Sequence, residues 1–202
     1  MIGMKKYGFL GLTMLLFACG GEQKGHDHAT DMPVSESTVV TAKPTSPAIS
    51  AILSSYYSVK DALVEADSTS ADLAAKQLLE SIKSIDLNIL APDSSTNASV
   101  RSLSDDLSAH TSQFLSASTL TQKRRAFSLI SVQMLPFLMQ VDYKEASVYQ
   151  QVCPMAFNDT EEASWLSSSP EIMNPYLGKK HPKYAAGMLH CGELTDSIAV
   201  KP

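Results

Sequence analysis

Residues 49–63, ISAILSSYYSVKDAL, decide the fold. Ile49, Ile52, Leu53, Tyr56, Val59 and Leu63 recur at steps of three and four, and Ser54, Ser55, Lys60 and Asp61 fill the opposite side. A helix brings such positions onto one face, so this spacing predicts an amphipathic helix with one buried stripe. Downstream, Ser68-Thr69-Ser70 interrupts the run and offers an N-cap. Ala71, Ala74, Ala75, Leu78, Ile82 and Ile85 then form a second stripe. Residues 92–97 read as a loop. Val100, Leu103, Leu107, His110 and Phe114 form a third stripe. Thr119 with Gln122 resembles a capping box, and it opens a fourth, broad apolar run over residues 127–141. Pro136 lies inside that run and is expected to kink or end it early. Met134 and Met139 read as core filling.

Four amphipathic segments with short connections predict a mainly α domain over residues 48–202, with an up-and-down four-helix bundle over residues 48–142. The C-terminal extension, residues 148–202, is different. It holds half of the prolines, Cys153, Cys191 and the single tryptophan, and it has no sustained helical period. Turns and short extended pieces packed on one end of the bundle are expected there.

Upstream of the first helix the chain reads as targeting sequence. Lys5 and Lys6 precede an uncharged apolar stretch over residues 7–17. That stretch suits a signal core and is too short to span a bilayer as a stable helix. It runs into Leu16-Phe17-Ala18-Cys19, which resembles a lipobox. Residues 1–18 are therefore expected to be a lipoprotein signal peptide, and Cys19 the residue that carries the covalent lipid. Residues 19–47 lack apolar periodicity and are expected to be a disordered tether with a reach of roughly 30 Å. Its His26-Asp27-His28 and Met32 read mainly as polar spacer, with transient metal capture as the other reading. The expected location is the cell envelope, lipid-anchored in the outer membrane and facing the periplasm.

Removal of residues 1–18 takes away two lysines and no acid, so the formal charge of −5 becomes about −7. No basic stripe exists to neutralise phosphates, which argues against a nucleic-acid partner. Neither a nucleophile elbow nor a glycine-rich phosphate loop occurs. The adjacent pairs Asp105-Asp106 and Glu161-Glu162 would diverge on a helix and read as solvated surface. No enzymatic activity is expected.

Chemistry concentrates in the extension. Cys153-Pro154-Met155 offers a thiolate and a thioether two residues apart, and Met188-Leu189-His190-Cys191 offers thioether, imidazole and thiolate within four. Sulfur ligands favour Cu(I) over Mg²⁺ or Ca²⁺. Cys153, Met155, Met188 and Cys191 are thus candidate metal ligands. His110, on the third stripe, is a further candidate, although a hydrogen-bonded core histidine is the plainer reading. In an oxidising compartment the same two cysteines could instead form a structural disulfide. The residues leave both possibilities open.

Several segments also resemble a family. Val148-Tyr149-x-x-x-Cys153-Pro154-Met155, Trp165-Leu166-Ser167, Glu171-Ile172-x-Asn174-Pro175-Tyr176-x-Gly178 and Met188-Leu189-x-Cys191-Gly192 resemble an uncharacterised secreted domain family of Bacteroidetes. That domain also occurs at the C-terminus of periplasmic adaptor subunits of heavy-metal, copper-type RND efflux pumps. The resemblance extends back through Arg124, Phe127, Ser131 and Met134 to Tyr57 and Lys60-Asp61-Ala62-Leu63, and His110 corresponds to a histidine of some members. It implies traffic in copper or a related metal and efflux components as partners. Two departures stand out: an insertion between Gly178 and Met188 that contains His181 and Pro182, and Glu161-Glu162-Ala163-Ser164 where the family has a glycine-rich step.

Overall fold

The structure, a computed structural model, describes residues 47–198. The expected signal peptide over residues 1–18, Cys19 and the expected tether with His26, His28 and Met32 lie outside the described residues. Helix α1, Pro47–Val64, opens on a proline at the first helical position, where a missing N–H costs nothing. It buries Ile49, Ile52, Tyr56, Val59 and Leu63 completely. A Schellman arrangement ends it: Ala66 takes a left-handed φ of 55°, and Asp67 N–H donates to the Ala62 carbonyl at 2.9 Å.

Asp67 also opens the next element. Its carboxylate accepts from the N–H groups of Thr69 and Ser70 and caps α2, Ser68–Lys83, one residue ahead of the expected serine. The expected loop over residues 92–97 is shorter than its composition suggests. A helical turn, α3 (Leu87–Leu90), precedes it, and Asp93 caps α4, Ser94–Ser116. Asn97 ties the two together by donating to the carbonyls of Leu87 and Ala91. Val100, Leu107 and Phe114 are fully buried, whereas His110 is only partly so.

Helix α5, Leu120–Gln140, begins with the expected capping box of Thr119 and Gln122. Pro136 does not end it. The helix continues to Gln140 because Pro136 and Val132 lie on the exposed face, where water can reach the carbonyl that loses its donor. Met134 fills the core as expected, but Met139 is 65 % exposed and does not. The chain leaves α5 through a second Schellman turn, with Asp142 at φ 55° and Tyr143 N–H on the Leu138 carbonyl.

The described part is thus mostly helical, with α1 on α2, α2 on α4 and α4 on α5. No described helix is long and apolar enough to cross a membrane. The extension, however, is more regular than its composition predicts. Residues that carry no helical period form an antiparallel sheet of β1 (Val148–Phe157), β2 (Glu161–Ser167) and β3 (Glu193–Ile198), in the order β2-β1-β3. Alternation fails to announce β1 because Gln151, Val152 and Cys153 are buried in succession. Register shifts interrupt its pairing with both neighbours as well.

Helices and sheet share one core. Tyr56 stacks on Phe127 at 5.0 Å, bonds Ser131 Oγ at 2.6 Å and accepts the Leu166 N–H of β2 at 3.0 Å. Burial drives its phenol well above the ordinary tyrosine range, so it remains a neutral hydrogen-bonding post.

Candidate functional site

The site is built from β1 and the chain that returns to pair with it. Val152 pairs with Glu193 of β3, which carries the two residues before β3 alongside Cys153. Within that return, Cys191 N–H donates to the Met188 carbonyl at 3.0 Å and closes a turn over Met188-Leu189-His190-Cys191. Gly192 follows with φ 148°, and a Cβ there would lie 2.9 Å from both Trp165 Cη2 and the Val152 carbonyl oxygen. Only glycine lets the chain pass so close to the indole.

These constraints converge on two sulfurs. Cys153 and Cys191, 38 residues apart in sequence, place their Sγ atoms 2.7 Å apart as free thiols. Cys153 is fully buried, while Cys191 remains partly accessible. The Cys191 thiol is pushed up to about 12, first by burial and then by the neighbouring Cys153 sulfur. Cys191 is therefore held as a thiol at neutral pH. Any reagent, metal or oxidant meets Cys191 first.

The other sequence candidates divide around this pair. Met155, on β1, and Met188, at the start of the turn, are both partly buried against the core. His110 stays on α4, and His190 is exposed with its Nδ1 2.8 Å from the Ile172 carbonyl oxygen. Among the described residues no three His, Cys, Asp or Glu side chains converge as a metal cluster, so neither imidazole joins the sulfurs in this arrangement.

The donor chemistry fits a soft ion, whereas the spacing fits it only after a movement. Two thiolates in line on one ion, at metal–sulfur distances of about 2.3 Å, stand roughly 4.6 Å apart. The observed 2.7 Å would have to open. Cys153 is fully buried, so that opening falls to a rotation of the partly accessible Cys191 side chain.

His181, in the insertion, is occupied otherwise. Its Nδ1 accepts from the N–H groups of Lys183 and Tyr184, its ring stacks on Tyr184 at 5.0 Å, and burial holds its pKa below the ordinary value. Asp159 binds both Lys183 and the Tyr184 hydroxyl, which fastens the insertion to the β1–β2 turn. An open cleft of about 580 Å³ beside α3 and α4 is lined by Asn88, Arg101, Asp105 and neighbours and shares no residue with the sulfur pair.

Two residues central to the site received no role from the sequence. Asn174 is fully buried, and its Nδ2 donates to the Cys191 carbonyl at 2.7 Å. Arg124 is buried, has no carboxylate partner among the described residues, and donates to the carbonyls of Leu63, Pro175 and Leu177. The Asn174-Pro175 dipeptide carried a usable signal. Asparagine before proline favours a turn closed by its own side chain, and Asn174 Oδ1 indeed accepts from Tyr176 N–H two residues on.

Residues 52–146 match a family model described as a protein of unknown function, DUF3347. The match covers the helices from within α1 to beyond α5 and stops before the strand that carries Cys153. No curated protein and no solved structure matches the chain.

Proposed function

We propose that this chain is a lipid-anchored cell-envelope protein, attached through Cys19 and facing the periplasm. In this reading an up-and-down four-helix bundle carries a dithiol for a soft metal ion, Cu(I) foremost. The observation that supports it is the meeting of the Cys153 and Cys191 sulfurs at 2.7 Å from two distant segments. Each would bind as thiolate after losing its proton, and Met155 and Met188 lie next to them in sequence as thioether donors. The role is sequestration, or delivery to a heavy-metal efflux system of the kind the family resemblance implies.

The test is a titration of the reduced mature chain with Cu(I) against a competing chelator. Cys153→Ser and Cys191→Ser should lose most of the affinity, Met155→Leu and Met188→Leu less, and His110→Ala little. Wild type binding no better than the double serine variant would remove the metal role.

A specific observation favours a second reading. With Cys153 fully buried and the sulfurs inside non-bonded contact, the pair is also placed to close a disulfide. The domain would then be a metal-free interaction module with a stapled sheet. A thiol count on protein purified without reductant separates the two: two free thiols support the metal site, none supports the staple.

A further inference from the structure

Asn174 joins its own loop, residues 174–178, to the turn of residues 188–191. Its Oδ1 accepts from the N–H groups of Tyr176 and Leu177 at 2.8 and 3.0 Å, so its Nδ2 is left facing the Cys191 carbonyl at 2.7 Å. Its main-chain N–H donates to the Leu189 carbonyl at 2.9 Å, two residues before Cys191. The turn carrying Cys191 is therefore held at both ends by one fully buried residue.

The loop of Asn174 is in turn held from the helices. Arg124 on α5 donates from Nε to the Pro175 carbonyl at 2.9 Å, and from Nη2 to those of Leu177 at 3.3 Å and Leu63 at 3.1 Å. Gly178, at φ 62°, lets the backbone lie against this guanidinium, since a Cβ there would fall 2.7 Å from Arg124 Nη2. A rigid fork of donors on three carbonyls fixes orientation as well as distance.

We propose that Asn174 is the positioning residue for Cys191, and that Arg124, by bracing the Asn174 loop, sets the spacing of the two sulfurs from the helical side of the molecule. The proposal deepens the preceding reading, resting on it only in taking the sulfur pair as the working part. It accounts for three features that sulfur ligation alone leaves without purpose: a buried arginine spent on three carbonyls, a buried asparagine with all its polar atoms engaged, and a glycine pressed on the arginine.

The test reads sulfur placement without metal. The full mature chain is equilibrated in anaerobic glutathione buffers at pH 8. There the two protein thiols give two electrons and two protons to glutathione disulfide, which leaves as two glutathione thiols, and the Cys153–Cys191 disulfide is counted by thiol alkylation and mass. Asn174→Ala removes the latch, and Asn174→Asp, as the carboxylate, keeps the volume and both accepted N–H bonds but cannot donate to Cys191. Each should lower the effective concentration of one sulfur at the other about ten-fold, a potential about 30 mV less reducing. Arg124→Met should shift it in the same direction and Arg124→Lys by less. Leu107→Ala, which weakens the helical core away from the brace, should leave it at the wild-type value. A folded Asn174→Asp at the wild-type potential overturns the proposal. So does an equal shift in Leu107→Ala, since the potential would then follow global stability. If an Asn174 variant does not fold, the Arg124→Lys shift decides, and a wild-type value there overturns it as well. A shifted potential in a chain that binds no Cu(I) would end the metal reading and leave the brace standing.

Discussion

The helical part and the C-terminal sheet are held together by different kinds of contact. Each long helix carries its own instructions: apolar side chains at helical spacing face inward, and α2, α4 and α5 each open on a capping residue adjacent in sequence. The sheet is fastened from elsewhere. Tyr56 of α1 receives the Leu166 N–H, Arg124 of α5 holds the carbonyls at 175 and 177, and Arg125 pairs with Glu161 of β2. Its outer strand β3 is exposed along nearly all its length. The helices supply a surface with donors and acceptors already in place, and the extension becomes regular by meeting them. The sulfur pair, at the end of that chain of dependence, inherits its geometry from both.

The strongest way to break this comparison is to treat the sheet as an appendage. Trp165 of β2 is fully buried and packs edge-on against Tyr176 at 5.9 Å. Trp165→Ala should cost about 3–5 kcal/mol in chemical denaturation followed by the helical circular dichroism signal. Helices that unfold at the wild-type midpoint in this variant would mean that the two parts are independent. The matching test on the helical side is Leu107→Ala. Leu107 is fully buried in α4, and its truncation should cost about 2–5 kcal/mol. A negligible effect would place the wrong face of α4 inward.

Oxidation sharpens the contrast. Closing Cys153 to Cys191 constrains the extension in the unfolded chain and should raise stability by about 2–4 kcal/mol over the reduced form, read as a shift in the denaturation midpoint. No difference between the two forms would show that residues 153 and 191 already stay together in the unfolded chain. Smaller still is the local effect of a cap: Thr119→Ala should lower stability by about 1 kcal/mol, because the Gln122 N–H loses its acceptor.

Alkaline pH separates the parts by chemistry. The Cys191 thiol, ordinarily at 9.0, is raised to about 12 by burial and the adjacent sulfur, so the folded protein holds that proton more tightly than the unfolded chain. The stability tied to it is whole below about pH 9 and is lost as pH rises towards 12. Tyr56 and Tyr176 are shifted the same way by burial. Alkylation of Cys191 should still accelerate above about pH 11, whereas a plateau reached by about pH 10 to 11 would show an ordinary solvated thiol.

How much of this was legible in the sequence follows from the range of each contact. The four stripes and the Thr119–Gln122 box were readable because helical neighbours lie three and four residues apart. The Schellman turns at Ala66 and Asp142 were not, because the left-handed position that usually carries glycine carries alanine and aspartate instead. The strand β1 was hidden by burial on both faces.

By itself, then, the sequence determined the helices, their inward faces and the gathering of sulfur-bearing residues in the extension, all of them properties of residues close along the chain. Only the tertiary structure decided that those residues form a sheet, that Cys153 and Cys191 meet while His110 and His190 stay apart from them, and that Arg124 and Asn174 govern the meeting. The physical reason is distance along the chain. A contact across 38 residues is made by strand register and by hydrogen bonds from helices to loops, and no local spacing encodes it.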